Sequence, residues 1–433
     1  MGLFLYSTGT SRAVIDFLAH CGLSSSYQAI RKVHKYLSKS LREKAAEIAK
    51  GPHMLGFDNI QISMSSHISQ RPGATPTVRS FTGSIVYRLR NAVAEFCKLL
   101  PILERRKKSK LISYTRHIKQ TPAERASFFR HIKLDVIEIL FRNTKGFQTD
   151  AYKDLIVHET HRPPPADHKT VECVNPTVEI DESRTVGVLD FLEGLYLGAL
   201  GLTEAMLENL AIPCINDQLT NSRLRAAYME RRGDESAFLR MENFQLGIGF
   251  FHGIMNFIWQ LLGNHKGSSD TPGSVSFWRD FLGTKRLASE RPDYYTLRTF
   301  FSDILYANIL HCWSMKTGFK DLESYAESNP SLDDLETVAQ EIINDFASDN
   351  GLRTCTDSTE TEDPLFHNVI LLNRDLLFFY EFDSSISSGD FGRLELLLGV
   401  LARMFNGAGA KNYALELLHL IQNLKSSWPE NFA

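Results

Sequence analysis

Two aspartates in this chain stand in matching settings. Asp58 follows Met-Leu-Gly-Phe in MLGFDNIQIS, and Asp217 closes AIPCIND in AIPCINDQLT. Each comes after a short apolar run that reads as a buried strand, and polar residues follow. A carboxylate at the end of a buried strand stands at a sheet edge, where a cleft opens. Two such acids on neighbouring strands can share Mg²⁺ or Mn²⁺, because hard cations take carboxylate oxygens. The shared ion activates a water or a 3′-hydroxyl and stabilises the leaving oxygen, which is metal-dependent phosphoryl transfer. The same residues also have a local reading. Asp-Asn and Asp-Gln after a strand are good starts for Asx turns.

Basic residues give a second set of candidates. Arg105, Arg106, Lys107 and Lys108 form a run, with Lys110 beyond it, and Arg223, Arg225, Arg231 and Arg232 follow Asp217. Either group suits a phosphate backbone, and the run also has the composition of a nuclear-localisation segment. A solvated helix face accounts for both equally well, and Glu230, Asp234 and Glu235 stand ready to pair with the second group. Net charge is −3, so any DNA binding must be local and not a global field effect. No Walker A loop, GxGxxG, GxSxG or HExxH occurs, which removes common nucleotide, hydrolase and zincin chemistries. The six cysteines are scattered, without a CxxC pair, and predict free thiols in a reducing, intracellular compartment. No run approaches 18 uncharged apolar residues, so no membrane span is expected.

The elements that must position these residues follow from periodicity. Residues 1–52 predict helices, with a Gly-containing turn near Cys21-Gly22 that outlines a helix-turn-helix. Residues 53–90 turn β-branched and predict three strands, or one bent strand and a hairpin. A helical insertion is expected over about 91–185, ending in the Pro-rich connector HRPPPADHKTVECVNPTVEID. A strand at Ile212–Ile215, a helix, a strand in NFQLGIGFFH and a helix complete a core over 53–264. Residues 265–433 predict amphipathic helices, interrupted by the polar stretch SDNGLRTCTDSTETEDP, read as a loop. The expected class is α/β, predominantly helical, with a mixed sheet. The order of strands and helices is that of the ribonuclease H fold, with its first acid on the first strand and its second just after the fourth.

Four segments carry a resemblance to a family. FDNIQISMSSHISQRPGATPTVRSFTGSIVY, INDQLTNSRLRAA, GFFHGIMNFIWQLL and ISSGDFGRLELLLGVLARMFNGAGAKNYALELL resemble motifs of a fungal family of unknown function with a G-D-Q-L-T signature. The likeness covers about residues 20–425. The family's layout is similar to that of DDE transposases of the hAT and Mutator kind. That resemblance implies Asp58 and Asp217 as catalytic metal ligands and Glu416 as the third acid, with Asp390 and Glu381 as rivals. It also implies that His252 contacts nucleic acid or orients a water; a hydrogen-bonded core histidine is the plain alternative. Where the family has Gly before Asp-Gln-Leu-Thr, this chain has Asn216, which tolerates left-handed backbone.

The expected function is that of a transposase-derived, Mg²⁺- or Mn²⁺-dependent enzyme of DNA strand cleavage or transfer, active or a domesticated relic. The alternative is an inert nucleic-acid-binding or protein-interaction scaffold of the same fold. A purely helical structural protein would require the strands to be absent.

Overall fold

The computed structural model describes residues 1–64, 77–149, 152, 155–287, 289, 291–351 and 363–433. The segment around Arg71-Pro72-Gly73, Cys355 and most of the polar stretch after Ser348 lie outside the described residues. The chain divides into two compact units. The first comprises 1–110, 169–249 and 423–433; the second comprises 111–168 and 250–422. Among the described residues no helix is long and apolar enough to cross a membrane.

The first unit holds one five-stranded mixed sheet. Its strands are β1 (His53–Met64), β2 (Thr77–Arg88), β3 (Val171–Val178), β4 (Ile212–Asn216) and β5 (Phe244–Ile248), in the order β3-β2-β1-β4-β5. β1, β2 and β3 run antiparallel in turn, whereas β4 lies parallel to β1 and β5 parallel to β4. Alternation along β1 buries His53, Leu55 and Phe57 and leaves Asp58 exposed, as expected for a strand with one packed face. Leu55, Phe57, Val86, Ile212 and Cys214 meet the helices Tyr27–Ala49, Thr185–Glu193 and Gln218–Glu230 in one core. Phe57 and Phe191 pack there as a tilted pair with centroids 4.9 Å apart.

Two expectations are corrected. The described residues of 53–90 make two long strands, β1 and β2, where three strands, or one bent strand and a hairpin, were expected. The third strand is β3, from VECVNPTV, inside the stretch expected to be helical insertion and connector. Pro176 explains the misreading, because a proline cannot donate to a ladder and normally argues against a strand. β3 is the edge of the sheet, where that loss is tolerated. The amino-terminal helices Arg12–His20 and Tyr27–Ala49 do form, with Gly22 at φ +73° in the turn between them. They belong to the first unit: Ala45, Ile48 and Ala49 are part of the sheet's core.

The second unit is helical. The helix Pro122–Asn143 is surrounded by Tyr294–Thr317, Leu332–Phe346 and Pro364–Ser388. Trp313 is fully buried and donates its indole N–H to the Val136 carbonyl at 3.2 Å. The free cysteines are Cys21, Cys97, Cys173, Cys214 and Cys312, as their scatter predicted.

One close approach positions the turn that follows β3. A Cβ on Gly187, at the start of Thr185–Glu193, would lie 1.9 Å from the Asp181 carbonyl oxygen. Gly187→Ala is therefore expected to cost about 1–3 kcal/mol by overpacking, read by chemical unfolding. Gly263→Ala is the control. A Cβ there would meet nothing within 4 Å, so helix propensity should make it neutral or stabilising by up to about 1 kcal/mol.

Candidate functional site

Asp58 and Asp217 are brought level by the register of two parallel strands. Leu55 of β1 pairs with Cys214 of β4, and each acid lies three residues further along its own strand direction. Asn216 holds this end of the pair together. Its side-chain carbonyl accepts the Phe57 N–H at 3.1 Å, and its amide donates to Cys214 Sγ at 3.1 Å. Its backbone carbonyl accepts the Gly249 N–H at 2.8 Å. Asn216 is buried, sits in β4, and is not among the residues with positive φ. The expectation that it serves as a left-handed turn residue is thus corrected: its side chain extends the β1–β4 ladder beside the two acids.

Asp217 caps a helix. Its Oδ1 accepts the Thr220 N–H at 2.7 Å at the start of Gln218–Glu230, where the helix dipole favours negative charge. The local reading of Asp217 is therefore correct, and it leaves the acid positioned at the strand end. Asp58 Oδ1 accepts the Asn59 N–H at 2.8 Å.

A third acid, absent from the sequence-based candidates, joins them. Glu182 follows β3 and is 2% exposed. Both its oxygens accept from the Thr220 hydroxyl at 3.0 Å. Thr220 thus holds Asp217 through its backbone and Glu182 through its side chain. Burial pushes the Glu182 carboxyl up to about 7; the Thr220 hydrogen bond opposes this, and the charges of Asp217, Asp58 and Asp181 add to it. The turn is tied down from the other side, since Arg223 Nε donates to the Ser183 carbonyl at 2.7 Å. The signal in the sequence was the IDES segment after the alternating VECVNPTV, concealed by the prolines.

The remaining candidates are placed as follows. Glu416, Asp390, Glu381 and His252 belong to the second unit. Glu416 is buried on the helix Lys411–Gln422. Asp390 accepts four backbone N–H groups, from His161, Arg162, Gly392 and Arg393, and so serves as a cap. Glu381 forms a buried ion pair with Arg393 at 2.5 Å. His252 is half-buried on Phe250–Asn264, its ring against Phe251. In the first unit, Arg106 donates to Gln245 at 2.7 Å and Arg105 to the Ser426 carbonyl at 3.1 Å. Both thus donate within the chain, Arg106 from a half-buried position, whereas Arg105, Lys107 and Lys108 are exposed. Arg231 pairs with Glu193 and Asp234, and Arg225 is half-buried.

Among the described residues, one set of three metal-ligating side chains has all its donor atoms within 4.8 Å of one another. It is Asp135, Glu138 and His158, in the second unit, and it can hold a metal ion. Asp58, Asp217 and Glu182 form a wider set.

The raised pKa of Glu182 sets a pH dependence. Its folded value is about 7 against an ordinary 4.5, so the native state holds the proton more tightly and loses stability as pH rises through that window. Glu182→Gln keeps an acceptor for Thr220 without the charge. We expect the variant to be more stable than wild type by about 1–3 kcal/mol at pH 8 without divalent metal. The difference should vanish below pH 4.5. Urea titrations at several pH values test this, and a gap that is constant with pH would refute it.

Comparison with known proteins adds one relationship. Residues 106–433 match the model described as Family of unknown function (DUF6589). Glu182 and Asp217 fall inside the matched segment and Asp58 outside it. No curated protein and no solved structure gives a match. Since the matched segment spans most of the sequence, this chain belongs to the Family of unknown function (DUF6589).

Proposed function

We propose that the sheet-bearing unit is a ribonuclease H-like domain of transposase descent that cleaves or transfers DNA strands with Mg²⁺ or Mn²⁺. The observation that carries this reading is the sheet itself. Its order is β3-β2-β1-β4-β5, with Asp58 on the central strand and Asp217 at the end of the parallel neighbour, level in register. Glu182 supplies a third carboxylate from the turn after β3. The donor set fits a hard divalent cation. The charges of Asp58 and Asp217 raise the proton affinity of Glu182, and a cation held among the three would offset that repulsion. When bound, such an ion supplies a nucleophilic water and charge neutralisation at phosphate.

The chain's own residues have separable tasks. Asn216 keeps β1 and β4 in step, so that the acids stay level. Thr220 orients Asp217 and Glu182 together. Glu182, poised near neutral pH, is placed to take or give a proton. Lys107 and Lys108, both exposed, are cations of this unit suited to a phosphate backbone. Nuclear localisation would follow from DNA as substrate.

The alternative, a catalytically inert nucleic-acid-binding or protein-interaction scaffold, draws support from two facts. The three acids do not converge as closely as the Asp135 set, and Arg105 and Arg106 already donate hydrogen bonds within the chain. An assay of the purified chain with labelled duplex and branched DNA separates the two. The nuclease reading expects Mn²⁺-dependent cleavage, lowered about 10²-fold or more by Asp217→Asn and by Glu182→Gln, as for loss of a group acting in the transition state. Salt-sensitive binding without cleavage would favour the scaffold. No binding at about 50 mM salt, where phosphate neutralisation by cationic side chains is strong, would exclude nucleic acid.

A further expectation concerns the basic run. Changing Lys107 and Lys108 to Glu should weaken binding across all DNA sequences alike. It should also flatten the plot of log affinity against log salt by about 0.9 for each phosphate that is no longer neutralised. An unchanged slope would exclude this face.

A further inference from the structure

The second unit contains a polar cluster that packing alone leaves incomplete. His131, Asp135 and Glu138 occupy one side of the helix Pro122–Asn143, at the i, i+4 and i+7 positions that align on a helix face. His158 and His161 come from the following segment. Asp135 is fully buried, and no N–H or hydroxyl donor reaches its carboxylate oxygens, whose near neighbour is the Glu381 carboxyl; the buried Nε2 of His158 has no partner either. Buried polar atoms without partners are rare and costly, and each requires an explanation.

The geometry supplies one. His158 Nε2 and Asp135 Oδ1 are 3.7 Å apart. That is too long for a hydrogen bond, yet close to the separation of about 3.4 Å between two ligands of a tetrahedral ion with bonds of about 2.1 Å. Glu138 brings a third donor within the same 4.8 Å span. Its carboxylate is already oriented, by Arg142 at 2.6 Å and the Tyr380 hydroxyl at 3.3 Å. The histidine is backed in the same way. His158 Nδ1 lies 3.0 Å from His131 Nδ1, and His131 Nε2 lies 3.3 Å from His161 Nε2. Such a chain fixes ring orientation and tautomer behind a ligating nitrogen. The segment carrying the two histidines is itself anchored, with the N–H groups of His161 and Arg162 each 2.8 Å from Asp390.

We propose that Asp135, Glu138 and His158 form a site for a divalent transition metal of the Zn²⁺ class, with His131 and His161 as positioning residues. Mixed imidazole and carboxylate donors favour such an ion over Mg²⁺ or Ca²⁺. The metal would link the helix to the segment that follows it, and three protein ligands leave a fourth position for water. The rival account is a proton. An un-ionised Asp135 would share its hydrogen with nearby Glu381, which Arg393 holds from its other side.

Zn²⁺ and Co²⁺ titrations of the full-length chain decide between them. The metal site predicts one equivalent of tightly bound Co²⁺ with a visible d–d absorption band, displaced by Zn²⁺. It also predicts a rise in melting temperature with Zn²⁺, because only the native state is bound. Asp135→Asn and His158→Ala should abolish the band, and His131→Gln should weaken binding about 10- to 100-fold. Asp217→Asn should leave the band unchanged, which keeps this result separate from the fate of the nuclease reading. If wild type takes up no Co²⁺ and its melting temperature ignores Zn²⁺, the proposal is overturned. It is equally overturned if Asp135→Asn folds and binds Co²⁺ as wild type does. The wild-type spectrum suffices should a variant fail to fold.

Discussion

The geometry of the sheet-borne acids depends on how one buried amide is satisfied. Asn216 lies where the β1–β4 ladder ends, and its side chain accepts the Phe57 N–H that would otherwise be left unpaired. An unpaired buried N–H costs about 1–3 kcal/mol. Phe57 immediately precedes Asp58, and Asn216 immediately precedes Asp217. A hydrogen bond that fixes two strands therefore also fixes two carboxylates. Thr220 extends the same constraint to Glu182, because its N–H and its hydroxyl serve different acids.

Electrostatic cost is distributed unevenly in this protein. Asp58 is exposed, and Asp217 occupies a helix N-terminus. Glu182 is buried near their charges and bears the penalty as a raised proton affinity. In the second unit the buried Glu381 is matched by Arg393, and Asp390 by four backbone donors. Those acids, which the sequence motifs made attractive, are consumed in holding helices and loops. Asp135, which no sequence motif singled out, differs from them: it is buried and no N–H or hydroxyl donor reaches it.

Much of the architecture is legible in the chain. Alternation in MLGFD and SIVYR predicts strands, the apolar runs before Asp217 and in NFQLGI predict two more, and helical periodicity predicts the rest. The resemblance to a family of unknown function agrees with the family match over residues 106–433. β3 was hidden because local composition speaks against a strand containing Pro176, while the edge position that permits it is a property of the assembled sheet. Arg105 and Arg106 read as a phosphate-binding run. Their partners, Ser426 and Gln245, are more than a hundred residues distant in sequence.

What the sequence determined by itself was most of the elements and Asp217 at a strand end; Asp58, expected at a strand end as well, lies in the middle of β1 and is paired on through Met64. Periodicity and turn chemistry are short-range, so a window of about ten to twenty residues contains their causes. Which acids come together was decided only by tertiary structure. Glu182 is separated from Asp217 by a helical segment and from Asp58 by more than a hundred residues. It reaches their field because β3 is added at the edge of the sheet and the turn after it packs against Thr220 and Arg223. The Asp135 and His158 pairing has the same origin. No local pattern marks a donor as unpaired; that depends on which groups the fold has placed around it, and on the water it has removed.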